Sequence, residues 1–215
     1  MSLKGLENAA KNLNSLDRQM IPRASAMAIN RVAQKAISFA THKVAKETVA
    51  GDNHRQGIPL RLVKQRVRLF KASPRFDVGK QYARIRINRG NLPAIKLGTA
   101  QVRLTRRKGQ LLRGGSVLRI GPYLFRDAFI QQLANGRWHV LRRLPESRTA
   151  IKKDSKGRPR RNRLPMEVVK IPMAGKLTQS FEEAKNRIVL EEFPKELSSA
   201  IKQQLRLHLT RRLIE

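Results

Sequence analysis

The chain has no cysteine, which excludes disulfides, thiol nucleophiles and cysteine-held metals; this is neutral on compartment and consistent with assembly in the cytoplasm. Histidine is scarce as well. His42, His54, His139 and His208 are scattered, with no two at ligand spacing, so a zinc site would need them to converge with carboxylates. Acids are few: 15 Asp and Glu against 47 Lys and Arg, a formal net charge of +32. Asp127 and Glu146 are conceivable as an acid and base pair, but nothing in their spacing supports that role. There is no Gly-x-Ser-x-Gly elbow, Walker loop or Gly-x-Gly-x-x-Gly turn. The expectation is a protein without catalysis, cofactor or metal. The first residues lack an apolar secretion core, and no window approaches about 18 consecutive apolar residues. Neither export by that route nor a membrane span is expected.

Aromatic residues are thinly spread, with one Trp, two Tyr and seven Phe in 215 residues. Tyr82, Tyr123, Phe125, Phe129 and Trp138 lie in the basic middle of the chain. Phe129 and Trp138 read as core residues flanking a hairpin, which disfavours recognition of single strands by base stacking.

Cationic density is what the chain has in excess, and it is unevenly placed. Residues 51–165 carry 30 basic against 5 acidic residues, a surplus of 25, while residues 1–50 and 166–215 carry surpluses of only 5 and 2. A field so concentrated favours a polyanion or a strongly acidic protein surface, and nucleic acid is the first candidate. It would repel itself without neutralisation, so a constitutive partner is expected. Two clusters stand out as contact residues: Arg106, Arg107, Lys108 and Arg113 on one loop, and Lys152, Lys153, Lys156, Arg158, Arg160, Arg161 and Arg163 on a second. Lys and Arg contacts to phosphate release counterions and are insensitive to sequence. The clusters therefore point to a polyanion without saying which.

The periodicities give an α+β reading: N-terminal helices, a central antiparallel β-sheet with basic loops, and C-terminal helices. In residues 1–50, Leu3, Leu6, Ala10, Leu13, Leu16 and Met20 mark a first amphipathic helix. Ile29, Ala33, Ile37, Ala40 and Val44 mark a long second one, packed in the core or on a neighbouring subunit. Residues 51–81 form a basic helix and linker. From Pro59, Leu60, Val63, Val67 and Phe70 face inward while Arg61, Lys64, Arg68 and Lys71 face outward. That helix could be imagined in a DNA groove, but no second helix at helix-turn-helix spacing accompanies it.

Residues 82–171 alternate with period two around Ile85 and Ile87, Ile95 and Leu97, and Val102 and Leu104, which marks strands with one solvent face. Arms interrupt this sheet at 105–116 and 144–165, the second expected to order only against a partner. Asn135-Gly136 signals a hairpin with a type I′ turn, and Met166–Ile171 reads as a last strand. Residues 172–215 are helical, with Ser180 and Glu183 as a capping box, Pro194 as an interruption or kink, and an apolar stripe of Leu197, Ile201, Leu205, Leu209 and Leu213. The four regions read as one structural domain overall.

Several strings carry a family resemblance. They are Ala128-Phe129-Ile130 through Leu133, then Asn135-Gly136-Arg137-Trp138-His139-Val140; Gly5-Leu6-Glu7; Ala28 to Ala33; and Leu62 to Arg66. Asn88 to Pro93, Ile95 to Gly98, Val168 to Met173 and Pro194 to Leu197 continue the series. Together they resemble the prophage minor tail protein Z family, the lambda-type tail completion proteins, over nearly the whole chain and in the same order.

The resemblance implies a structural protein of the virion tail in a phage with a double-stranded DNA genome. It would act at the head-proximal end as a homo-oligomer, a hexameric ring by analogy with the tail tube. The implied partners are the tail terminator and tail tube proteins, head-completion or tape measure proteins, and the dsDNA genome, with no membrane. Its work would be head-tail joining and placement of the genome's end for ejection. Gly51–Pro59 and the arm around Lys152–Arg163 look like elaborations on the family pattern. Composition alone would equally allow a ribosomal or RNA-binding protein, or a non-specific DNA-binding protein.

Overall fold

Helices lie at both ends and short strands between them, in a computed structural model that describes residues 20–75, 78–103, 106–107, 110–111, 117–143 and 166–212. In chain order the elements begin with helix α1 (Ile21–Glu47), strands β1 (Val49–Ala50) and β2 (Arg55–Gln56), and helix α2 (Leu60–Lys64). Strands β3 (Val67–Phe70), β4 (Arg84–Ile87), β5 (Leu92–Pro93), β6 (Ala100–Arg103), β7 (Arg106–Arg107) and β8 (Gln110–Leu111) follow. Then come β9 (Val117–Ile120), β10 (Tyr123–Arg126), β11 (Ala128–Gln132), β12 (Trp138–Arg143), β13 (Met166–Val168) and β14 (Lys170–Ile171). Helix α3 (Ala174–Ala184), a π-helical turn (Lys185–Val189) and helix α4 (Leu190–Arg212) complete the order. The expected α+β class is borne out, and every strand pairing among the described residues is antiparallel. The strands form several small sheets rather than one. The chain folds as two compact units, the first from Met1–Val44, Val63–Arg89 and Lys176–Glu215, the second from Ala45–Leu62 and Gly90–Gly175.

In the first unit α1 runs antiparallel to the C-terminal helices. Ala24 and Ala28 meet Ala200, with Met27, Phe193 and Leu197 packed around them. Further along, Ala36 and Ala40 meet Ala184, flanked by Phe39, Phe181 and Ile188. Alanine at both contacts lets the helix backbones approach closely, so larger side chains fill only the margins. Ion pairs repeat the same register: Lys43 with Glu183, Lys35 with Glu192 and Glu196, and Arg31 with Glu196.

The β3–β4 hairpin lies in this unit, with Val67 opposite Ile87, Arg68 opposite Arg86, Leu69 opposite Ile85 and Phe70 opposite Arg84. Its inner residues Ile85 and Ile87 share an apolar groove of about 490 Å³ with Val32, Ala36, Phe181 and Phe193. Two polar clamps fix the hairpin's flanks to α1. Asn30 accepts from the Ala72 amide at 2.7 Å and donates to the Ala72 carbonyl at 3.0 Å, and Gln81 Nε2 donates to the Pro22 carbonyl at 3.1 Å.

In the second unit β6, β9 and β10 form a meander, and β11, β12 and β13 form a second three-stranded sheet. Leu118, Ile120, Tyr123 and Phe125 fill the core beneath the first, while in the second Ala128 and Val140 are buried on one face and Leu141 on the other. The Gly51–Pro59 segment braces both. Asp52 takes the Arg126 amide at 2.7 Å and the Arg142 guanidinium at 2.6 Å, and the Tyr123 hydroxyl donates to the Gly57 carbonyl at 2.6 Å. Gly51 adopts φ +78°, and a Cβ there would lie 3.0 Å from the Leu124 carbonyl oxygen, so this turn requires glycine.

Several sequence expectations are corrected. The helix read from Pro59 stops at Lys64, and Val67–Phe70 is a strand. Val-Arg-Leu-Phe fits period two as well as 3.6, and the distant β4 supplies its ladder. Ile95 and Leu97 belong to a 3₁₀ turn rather than a strand. The Asn135-Gly136 hairpin forms, but only Gly136 has positive φ, at +72°. The Gly136 amide donates to the Leu133 carbonyl and the Leu133 amide to the Arg137 carbonyl, which is a longer loop than the two-residue type I′ turn.

Trp138 is 57% exposed rather than core. Ser180 is buried inside α3, which starts at Ala174, so it caps nothing, and Glu183 reaches Lys43 instead. The helix passes through Pro194 without a break, and its irregularity is the π-turn just before Leu190. The apolar stripe of α4 is covered at Leu197, but Ile201 and Leu205 are 37% and 40% exposed. The first amphipathic helix read over residues 3–20 falls almost wholly outside the described residues.

Candidate functional site

Of the cationic residues singled out from sequence, Arg106 and Arg107 form β7, which pairs with β8 through Arg106 opposite Leu111 and Arg107 opposite Gln110. Lys108, Arg113, Lys152, Lys153, Lys156, Arg158, Arg160, Arg161 and Arg163 lie outside the described residues. On the β6–β9–β10 meander the described outward positions alternate cations with other residues: Arg119 stands opposite Gln101 and Leu124, and Arg126 lies beyond Leu124. Gln101 and Leu124 interrupt the cations on that face.

A denser cationic surface lies instead on the outer face of the β3–β4 hairpin. Residues 82–87 alternate strictly, so Tyr82, Arg84 and Arg86 point outward while Ala83, Ile85 and Ile87 point toward α1. Across the ladder Arg68 stands directly opposite Arg86, and Phe70 opposite Arg84. Like charges facing each other on a two-stranded ribbon are destabilising. Among the described residues no hydrogen bond or ion pair neutralises Arg68, Lys71, Arg84 or Arg86.

The hairpin is nevertheless held firmly. At its open end the Asn88 amide donates to the Arg66 carbonyl at 2.8 Å, and Arg66 Nη1 donates to the Asn88 carbonyl at 3.3 Å. Burial lowers the Arg66 pKa from its usual value, yet guanidinium remains charged at any ordinary pH. At the other end the Asn30 and Gln81 clamps hold Ala72 and Gln81 against α1. Beside that end lies an open cleft of about 260 Å³ lined by Phe70, Lys71, Ser73, Tyr82 and Arg84.

Sequence reasoning missed this site because it placed Phe70 on the inward face of a helix. The signal was present in the two-residue alternation of Val67-Arg68-Leu69-Phe70, matched by Arg84-Ile85-Arg86-Ile87. Among the described residues no three His, Asp or Glu side chains converge to hold a metal ion. No described helix is long and apolar enough to cross a membrane.

Comparison with known proteins adds an independent line. The sequence profile of the family described as prophage minor tail protein Z matches residues 3–211. The tail completion protein of Escherichia phage N15 is 49% identical over 211 residues, which is 98% of this chain and 100% of that protein. Tail completion protein Z of Escherichia phage lambda is 45% identical over 218 residues, again 98% of this chain and 100% of that protein. No solved structure matches the chain.

Proposed function

The chain belongs to the prophage minor tail protein Z family, and from that premise we propose that it is a structural, non-catalytic tail completion protein of a tailed phage or prophage. The observation that carries this reading is similarity from end to end, 98% of the chain aligned with the whole of two proteins named for tail completion.

In the finer reading the protein sits in the virion tail at the head-proximal end, as a ring beside the tail terminator, sixfold to match the tail tube. There it makes tails competent for head joining and holds the end of the dsDNA genome for ejection. Two observations support these steps. Ile201 and Leu205, one helical turn apart on α4, leave apolar surface uncovered in the single chain, as an oligomer contact requires. The cationic surplus of residues 51–165 suits a DNA-lined or acidic channel. The tail terminator and tail tube proteins are the expected neighbours, with head-completion and tape measure proteins the next candidates.

The test is a deletion of the gene in the phage that carries it, with complementation in trans. Tails should assemble, yet join heads poorly or yield particles whose DNA is lost or misplaced. Imaging of complemented particles should place the protein at the neck. Purified infectious particles devoid of the protein would overturn the reading.

A further inference from the structure

The cleft at the clamped end of the β3–β4 hairpin joins exposed aromatic rings and cations on one surface. Tyr82 is 66% exposed and Phe70 51% exposed, although burying such a ring is worth about 1.5–3 kcal/mol. Both rings share the outer face with Arg68, Arg84 and Arg86, and Lys71 and Ser73 complete the cleft rim. Successive outward residues on one strand are about 6.7 Å apart. The face therefore reads, along its length, as Tyr82, then Phe70 beside Arg84, then Arg68 beside Arg86, cations that nothing among the described residues neutralises.

We propose that this cleft binds unpaired nucleotides of a nucleic-acid strand, with a base stacked on Tyr82 and Phe70 and the adjoining phosphates held by Arg84, Arg86, Arg68 and Lys71. Aromatic platforms beside a cationic track are the general means of holding single strands, because every base has a π-face and every nucleotide a phosphate. A duplex fits the aromatic end poorly, since its bases are stacked on each other and reaching one costs unstacking energy. A drug-sized ligand fits poorly too, because the cleft's 260 Å³ falls below the roughly 300–1,000 Å³ of small-molecule pockets. The two clamps to α1 hold the cleft's flanks in place, so the platform is preformed. The site uses none of the residues of the Arg106–Arg113 and Lys152–Arg163 clusters, and it stands or falls independently of the tail completion reading.

The test uses the full chain and fluorescence anisotropy with three labelled probes of equal length, about 10 nucleotides: an oligo(dT) strand, an abasic strand and a duplex. The wild type should bind oligo(dT) about tenfold more tightly than the abasic strand, the stacking contribution of a single base. Phe70→Ala with Tyr82→Ala should abolish that preference while leaving affinity for the abasic strand unchanged. Arg84→Gln with Arg86→Gln should weaken both strands alike and flatten the salt dependence. Should the double ring variant fail to fold, Tyr82→Ser alone serves, since that ring lies outside the strand and makes little packing. Equal affinity of the wild type for oligo(dT) and abasic strands would overturn the proposal. So would a ring variant that keeps the preference.

Discussion

Asp52 holds Arg142 with both carboxylate oxygens, which lie 2.7 and 2.6 Å from the single nitrogen Nη2. The same carboxylate accepts from the Arg126 amide, and the Asp52 amide donates to the Leu124 carbonyl at 2.7 Å. One residue of the Gly51–Pro59 segment thus ties β10 to β12. A segment that looks like an ornament in the sequence is a brace in the fold, aligning two small sheets that share no ladder.

Removing the carboxylate should therefore destabilise the protein even though no apolar surface is lost. Asp52→Ala leaves a half-buried guanidinium and a backbone amide without their acceptor. Hydrogen bonds to charged groups contribute about 1.5–3 kcal/mol, and the partial exposure of both side chains argues for the middle of that range. A loss of about 2 kcal/mol, or about 4–8 °C in melting temperature for a chain of this size, is expected in a thermal melt. Asp52→Asn, which keeps an acceptor, should fall between it and the wild type. A melt within 1 °C of wild type for Asp52→Ala would show that the brace is dispensable.

Stability should also respond to pH through the bridge between α1 and α4. Lys35 Nζ lies 2.7 Å from Glu192 and 2.6 Å from Glu196. Its hydrogen bond to Glu192, then that to Glu196, raises its pKa above 10.5. The hydrogen bonds from Lys35 lower both carboxyls below 4.5. A depressed carboxyl stabilises the fold above its unfolded pKa and loses that contribution as pH falls through the folded value; a raised amine stabilises below its unfolded pKa and loses it as pH rises through the folded value. This bridge should contribute steadily from about pH 5 to about pH 10 and fade on either side. The melting difference between wild type and Glu192→Gln with Glu196→Gln should shrink toward zero as pH drops below about 4, and shrink also in high salt. A difference that persists undiminished in acid would locate the double variant's effect in packing.

What the sequence disclosed, and what it hid, follows the range of the interactions involved. The α1 helix was legible because Ile29, Ala33, Ile37, Ala40 and Val44 repeat every three to four residues within one segment. The hairpin at Asn135-Gly136 was legible from its turn chemistry, although the loop is longer than Asn-Gly alone implies. Phe70 was misplaced because four residues fit both periods, and the choice was made by Arg84–Ile87, whose pairing is non-local. Ser180 was misread as a cap because Ser-x-x-Glu occurs inside helices too, and Ser180 is buried within α3. The cationic excess was plain from composition, yet the face formed by Arg68, Arg84 and Arg86 exists only once β3 and β4 are paired.

The two faces of α4 should separate folding from assembly. Ala28 is fully buried where α1 meets Ala200, so Ala28→Leu overpacks the contact and should cost about 1–3 kcal/mol in the isolated chain. Leu205 is 40% exposed, so Leu205→Asp should leave the isolated chain within about 0.5 kcal/mol of wild type. In the assembled tail the same charge would meet an apolar partner, and infectious titre should fall by orders of magnitude. Normal titres with Leu205→Asp would mean that this face stays in solvent after assembly.

The last prediction concerns the Arg106–Arg113 loop in the particle. Residues 51–165 hold 30 basic and 5 acidic residues, and like charges repel wherever they stand within the ~8 Å Debye length of physiological salt. In the proposed ring that repulsion multiplies, and a polyanion or acidic neighbour lying against the surface would let the ring close at low cost. Replacing Arg106, Arg107, Lys108 and Arg113 with glutamate moves the loop's charge by eight units without removing an apolar residue. If the loop faces DNA, tails should form and join heads, but the particles should lose DNA early or hold its end out of place, as nuclease sensitivity and ejection assays would report. Fully infectious particles from this variant would remove the loop from the DNA-facing surface. Failure of the tails to assemble at all would instead assign the loop to an acidic protein neighbour.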